Sequence, residues 1–157
     1  MDRVEPTILP LTAHSPELAI TAEWRHEAFL KEDGFSVADS AAQLTKLTTE
    51  PEGPETALIA LVAGRLAGIC LLVLHELEPA HDYSPWLASL YVAPEFRRNG
   101  VACRLVKAIE DHARNKGVAR LHLYTVDAEA FYLKCGWAVA ERMPYSSGEL
   151  VLMTREL

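Results

Sequence analysis

The 157-residue chain lacks any run of Lys or Arg, and its 15 basic groups stand against 22 acidic ones, for a formal net charge of −7. Duplex nucleic acid and anionic membranes are held by concentrated positive charge, so the sequence argues against both as partners. No apolar run approaches the ~18 residues of a membrane span. The opening MDRVEPTILP has no apolar stretch behind a basic start, so a secretory signal is not expected and a cytoplasmic location is. There are three cysteines, Cys70, Cys103 and Cys135, with wide spacings and no CxxC. Each sits among apolar neighbours, which predicts buried, reduced thiols. The six histidines make no HxxxH or HExxH pair, so no metal site is expected. Internal repeats and low-complexity stretches are missing too.

What is present is a globular composition. Half the residues are hydrophobic, and a chain of this length buries a core as one domain, here residues 1–157. The charge is unevenly placed. Residues 1–60 hold eleven acidic and four basic groups, which accounts for the entire −7; the remainder is balanced.

Residues 7–12 are short, apolar and β-branched, a first strand. Ser15-Pro16 reads as an N-cap followed by Pro at the first helical position, with a helix to about Leu30 and a stop near Asp33-Gly34. Residues 36–48 read as a second helix with Val37, Ala41, Leu44 and Leu47 on one stripe. Residues 56–62 and 66–74 flank Ala63-Gly64-Arg65 and predict a hairpin. A fourth strand follows over 86–92. The clearest helix covers 100–116, with Ala102, Leu105, Val106, Ile109 and Ala113 on its apolar face. Strands are then expected over 120–126, 137–142 and 150–154, with a short helix over 127–134. The order β-αα-β-β-β-α-β-α-β-β predicts an α/β fold with one large, mostly antiparallel seven-stranded sheet and helices on both faces.

The sharpest local feature is Val92-Ala93-Pro94-Glu95-Phe96-Arg97-Arg98-Asn99-Gly100-Val101-Ala102. A strand ends and a helix opens on Arg-Arg-Asn-Gly. The first turn of a helix offers unpaired N–H groups and a positive dipole end. Gly100 permits close backbone approach, and Arg97 and Arg98 add donors suited to phosphate oxygens. The other reading of this segment alone is an ordinary turn with solvated arginines. Neither a Walker A loop nor a GxGxxG fingerprint is present.

Arg97-x-x-Gly100-x-Ala102 resembles the Gln/Arg-x-x-Gly-x-Gly/Ala signature of the GNAT superfamily of N-acetyltransferases. Ala128-Glu129-Ala130-Phe131-Tyr132-Leu133-Lys134-Cys135-Gly136-Trp137 is similar to that family's Ala-x-x-Leu/Phe-Tyr-x-Lys-x-Gly-Phe/Trp segment. The separation of the two motifs and the order of elements match as well, and Gly64-Arg65-Leu66-Ala67-Gly68 resembles the family's hairpin turn. The resemblance implies acetyl-CoA as co-substrate. Arg97, Arg98, Asn99, Gly100, Val101 and Ala102 would hold its pyrophosphate, mainly through backbone N–H groups. Leu90, Tyr91 and Val92 would run along the pantetheine arm where the fourth and fifth strands splay. Phe131 and Lys134 would flank the coenzyme, Thr125 would stand where the family often has Asn, and Tyr132 would sit near the thioester sulfur.

The implied reaction moves an acetyl group to an amine. A lysine-like amine with pKa ~10.4 costs ~4.6 kcal/mol to deprotonate at pH 7. Many family members place an acid or histidine on the fourth strand for that proton, but the equivalent positions here are Trp86 and Ala88. Candidate bases are therefore Glu76 and His81, with His75, Glu78 and Asp82 nearby. Tyr132, a phenol near pKa ~10, suits protonation of the leaving thiolate. Tyr83 and Trp86 are candidates for the acceptor pocket, whereas Trp24 and Phe29, within a helix, read as core.

In the family the two N-terminal helices and their loop wall the acceptor site, so Glu32 and Asp33, with Asp39, predict a cationic acceptor: a small-molecule amine or a peptide N-terminus. A non-catalytic coenzyme-A-binding sensor or partner subunit is the alternative, and a general nucleotide-binding protein a more distant one. A homodimer is open to the chain by analogy with related folds.

Overall fold

A computed structural model describes residues 5–76, 83–145 and 148–157. One seven-stranded sheet runs β1-β2-β3-β4-β5-β7-β6. Its strands are β1 (Thr7–Pro10), β2 (Thr56–Val62), β3 (Arg65–Val73), β4 (Trp86–Val92), β5 (Arg120–Thr125), β6 (Ala138–Tyr145) and β7 (Gly148–Glu156). All neighbours pair antiparallel except β4 and β5, which are parallel. This is the expected mostly antiparallel sheet. Helices α1 (Pro16–Arg25) and α2 (Val37–Thr49) cover one face of β2–β4, and α3 (Val101–Asn115) covers the other. The short α4 (Glu129–Lys134) follows β5.

Two large apolar cores result, with a smaller cluster of Trp86, Leu150 and Leu152 beside them. Leu87, Val92, Leu105, Ile109, Leu121 and Leu123 join on the α3 side. Leu18, Ala22, Leu44, Ile59, Ile69 and Ala88 join on the α1–α2 side. The sequence periodicities explain the division, since alternate strand residues face opposite sides and α3 carries its apolar stripe inward.

Local chemistry adjusts several boundaries. β1 ends at Pro10, which has no N–H for the ladder. The first helix is α-helical only to Arg25; residues His26–Leu30 widen into a π-helical turn, closed by Lys31 N–H to His26 O at 2.8 Å. That widened turn leaves Phe29 43% exposed, so its expected place in the core is corrected. Asp39 is a helix cap: its carboxylate accepts from Ser36 N–H while Ser36 Oγ accepts from Asp39 N–H, at 2.8 and 3.0 Å. These bonds hold the Asp39 carboxyl below its ordinary range. Of the cysteines only Cys70 is buried; Cys103 is exposed and Cys135 half-buried. The apolar neighbours of Cys103 lie along the chain, but its own position faces out from α3.

Candidate active site in the β4–β5 cleft

β4 and β5 touch through a single register pair, Trp86 with His122. The junction is fastened at Pro85, whose carbonyl accepts the His122 backbone N–H at 3.1 Å and lies 3.2 Å from His122 Nδ1. Burial, above all, lowers the His122 pKa. Beyond this point the strands diverge. β4 also carries a bulge: Ile69 pairs with Tyr91 and Leu71 with Ala88, so Ser89 and Leu90 have no partner on β3. Ser89 has φ 54°, in the left-handed region. The extra residue reverses the alternation, so that Leu87 and then Leu90 and Val92 face the α3 core while Ala88 and Tyr91 face α1–α2.

On the α3 side the chain turns sharply at residues 93–100. Arg98 and Gly100 both have positive φ, 65° and 81°, and Gly100 is the N-cap of α3. The Arg104 N–H to Gly100 O bond, 3.1 Å, begins the helix. The N–H groups of Val101, Ala102 and Cys103 therefore have no acceptor within the helix. They border a cavity of about 240 Å³, lined also by Val92, Phe96, Arg97, Arg98, Gly100 and Phe131. Arg97 turns back: Nε donates to Val92 O at 2.8 Å and the guanidinium lies over the Tyr91 ring. Arg98 is exposed. Asn99 Nδ2 donates to Arg97 O at 3.3 Å and braces the turn.

The second motif stands beside it. Tyr132 is 7% exposed, edge-on to Phe131 and Trp137. Its hydroxyl has no hydrogen bond to a described residue, and no buried side-chain polar atom among them lacks one, so the oxygen is open to a ligand or water. Burial first, then Cys70, Cys135 and Asp127, raise its pKa, and it stays a phenol. Thr125 Oγ1 accepts the Ala128 N–H at 3.0 Å, which delays α4 to Glu129. Lys134 is exposed at the end of α4.

The opposite face of β5 is not covered by α1 or α2. There Tyr124 donates to Glu76 at 3.4 Å. Burial raises the Glu76 pKa, against the smaller opposing influences of Arg25 and Tyr124. The Tyr124 hydroxyl is raised too, by burial and then by the charges of Glu76, Tyr145 and Asp33. Four residues far apart in sequence therefore share one electrostatic site. Arg25, 7% exposed, joins it to the bulge. Its Nε donates to Ser89 Oγ at 3.1 Å and its other nitrogens to Gln43 and Ser40, at 3.3 and 3.5 Å. Arg25 and Glu76 also line a cavity of about 300 Å³ between α2 and β3, with Glu50, Glu55 and His75.

The sequence candidates fall as follows. Glu76 is hydrogen-bonded to Tyr124, the charge of Asp33 acts on the same hydroxyl, and Glu32 is exposed in the same inter-helix loop as Asp33. Tyr83 stacks on His122 at 4.8 Å. Trp86 is corrected from a pocket residue to a core one: it is 1% exposed, packs with Leu150 and Leu152, and its indole N–H donates to Tyr83 O. His81, with Glu78 and Asp82, lies outside the described residues. Arg25, Ser89, Tyr124 and Tyr145 carried no sequence motif and emerge only from the fold.

The family model described as acetyltransferase (GNAT) family matches residues 18–137, three quarters of the chain. The chain belongs to the GNAT acetyltransferase family. No curated protein sequence matches it. Among solved structures, an aminoglycoside 6'-N-acetyltransferase complexed with coenzyme A is similar, with TM-score 0.76 and 18% identity over 96% of each chain. The ribosomal-protein-alanine N-acetyltransferase of Brucella melitensis gives 0.73 and 18%, covering 96% of this chain and 99% of that one. The yncA protein of Salmonella typhimurium, with acetyl-CoA as its cofactor, gives 0.75 and 17%, covering 96% and 93%. Membership makes the protein an acetyltransferase by class. No helix among the described residues is long and apolar enough to cross a membrane.

Proposed function

We propose that the chain, as one domain over residues 1–157, transfers an acetyl group from acetyl-CoA to a cationic primary amine in the cytoplasm. The observation that carries this reading is the cleft itself. Beyond Trp86–His122 the two parallel strands diverge, with a phosphate-type cradle on one side and a Glu76–Tyr124 pair on the other. The residues fit the coenzyme. The first-turn N–H groups of α3 suit a pyrophosphate, and Arg98 adds an exposed cation. Val92 and Phe131 give the adjoining cavity apolar walls for a pantetheine arm. The bound thioester would supply the activated acetyl carbon.

The protein's own groups then meet the needs of the amine. Glu76, with its carboxyl raised by burial, takes the proton from the ammonium, directly or through water. Tyr124 orients that carboxylate. The backbone of the bulge at Ser89 and Leu90, which have no register partner on β3, would meet the acetyl oxygen. Tyr132, kept protonated by its surroundings, returns a proton to the leaving sulfur. Arg25 is a positioning residue, tying the bulge to α2 through Ser89 and Gln43. Exposed Glu32 and Asp33 at the acceptor side favour a positively charged molecule, small amine or peptide. A homodimer is compatible with this reading.

The test is a thiol-release assay across polyamines, amino sugars, amino acids and short peptides, alongside calorimetry with coenzyme A. Acetyl-CoA-dependent thiol release with a cationic amine is the expected result. Coenzyme A binding with no release from any amine would instead identify a non-catalytic sensor.

A further inference from the structure

We propose that Cys103 and Cys135 form a dithiol modification site at the coenzyme cradle, closed to an intramolecular disulfide by exchange with a low-molecular-weight disulfide. The two sulfurs are 3.7 Å apart although the residues are 32 positions apart in sequence. Cys103 belongs to the first turn of α3 and lines the cradle cavity beside Gly100 and Ala102. Cys135 follows α4, and its N–H donates to Phe131 O and Tyr132 O at 3.2 and 3.0 Å. Phe131, from α4, lines the same cavity. The pair therefore bridges α3 and the end of α4, the two elements whose residues wall the cavity.

A disulfide bond is about 2.05 Å long, so closing it brings the walls nearer or turns both side chains. Either change acts where Phe131 and the α3 turn would grip a ligand. The pair is reachable, since Cys103 is exposed and Cys135 half-buried, whereas Cys70 is wholly buried and serves as an internal control.

The chemistry balances. The Cys103 thiolate attacks the small disulfide, forms a mixed disulfide and expels one thiolate, which takes up a proton. Cys135 then loses its proton, attacks the Cys103 sulfur and expels the second small thiol. The protein loses two electrons and two protons, and the small disulfide gains both. The order follows from access. Burial first, and the neighbouring Cys103 next, push the Cys135 thiol up to about 12, with Glu110 raising and Arg155 lowering it. The exposed Cys103 attacks first and Cys135 resolves.

The coupling to ligand rests on the coenzyme reading above, whereas the cross-link does not. The experiment incubates the folded protein with glutathione disulfide, maps the peptides, and measures coenzyme A binding before and after. Two of the three thiols should disappear, Cys103 and Cys135 peptides should be joined, and no glutathione should remain attached. The oxidised form should bind coenzyme A about tenfold more weakly. By reciprocity, saturating coenzyme A should then shift the dithiol–disulfide equilibrium tenfold toward the dithiol, about 30 mV for a two-electron couple. Dithiothreitol should restore binding. In Cys135→Ser, which has no resolving thiol, Cys103 should keep its glutathione adduct.

A stable glutathione adduct on the wild-type protein overturns the proposal. So does a pair that stays reduced, or a Cys103–Cys135 bond that leaves coenzyme affinity unchanged. If the reduced protein binds no coenzyme A, the proposed function fails instead, and the peptide map alone decides the dithiol.

Discussion

On the α3 side of the cleft, the residues of the proposed coenzyme site come from one stretch, 92–103, with Phe131 and Tyr132 added from α4. On the other side they come from α1 (Arg25), the inter-helix loop (Asp33), the end of β3 (Glu76), β5 (Tyr124) and β6 (Tyr145). The first side needs a fixed set of backbone donors, and a strand–turn–helix supplies them within a dozen residues. On the proposed reading the second side matches a particular amine, and its groups come from separate elements, each of which can change alone. The difference separates what a class of enzymes shares from what one member selects.

The strongest way to break the comparison is at Tyr132. Tyr132→Phe keeps the ring between Phe131 and Trp137 and removes only the hydroxyl. Turnover should fall about 100-fold or more, with coenzyme A affinity within twofold of wild type. An unchanged kcat would remove the general-acid role and leave Tyr132 as a packing residue of the α3 side.

Glu76 tests the other side. Its carboxyl is raised by burial, so it holds its proton to a higher pH than a free carboxylate. A base must be ionised, hence kcat/KM should rise with pH through an apparent pKa above ~4.3, the ordinary glutamate value. Glu76→Gln should abolish that rise and lower kcat by about 100-fold. Coenzyme affinity should be untouched. A rise that persists in Glu76→Gln would transfer the role to another group.

How much of this was legible beforehand follows the same division. The hairpin, β4 and α3 were readable because periodicity and turn chemistry are local: Ala63-Gly64 sits between two apolar runs, and α3 buries the stripe that its spacing announces. The cradle was readable for the same reason, since Arg97 to Ala102 is one peptide. Glu76 and Asp33 were only candidates among several acids. What unites them is Tyr124, and no spacing in the sequence encodes that meeting. Trp86 reads equally as pocket or core until Leu150 and Leu152 are seen to close over it. The Glu110 carboxylate was equally hidden. It is 6% exposed and accepts from Trp137 Nε1 at 3.1 Å and Arg155 Nε at 3.3 Å, tying α3 to the end of α4 and β7. In the sequence Glu110 is one of many acids on a helix.

Arg25 sharpens the comparison, because it connects the acceptor side to the β4 bulge. Its charge lowers the Glu76 pKa against the larger effect of burial. Arg25→Met should therefore move the rise in kcat/KM to higher pH, by up to about 1 unit. It should also lower kcat, because Ser89 loses its donor. A variant that only lowered the melting temperature, with an unmoved pH profile, would reduce Arg25 to a structural residue.

The smallest effect concerns the charge of residues 1–60. That stretch carries the whole net charge of the chain, but its acids have different tasks. Asp39 caps α2 and is already committed to Ser36, whereas Glu32 and Asp33 are exposed in the loop near Tyr124. Of these three, Glu32 and Asp33 are left to draw in a cation. Exposed charges act through solvent and are screened over about 10 Å at 0.1 M salt. Glu32→Gln with Asp33→Asn should raise the KM for a cationic acceptor by about threefold at low salt and by less at high salt, leaving kcat and the KM for acetyl-CoA alone. Asp39→Ala, which removes the acceptor for the Ser36 N–H, should instead cost about 1 kcal/mol of stability, with little change in acceptor KM. An acceptor KM indifferent to salt, or a preferred acceptor of negative charge, would mean that the acidity of this face solubilises the protein and selects nothing.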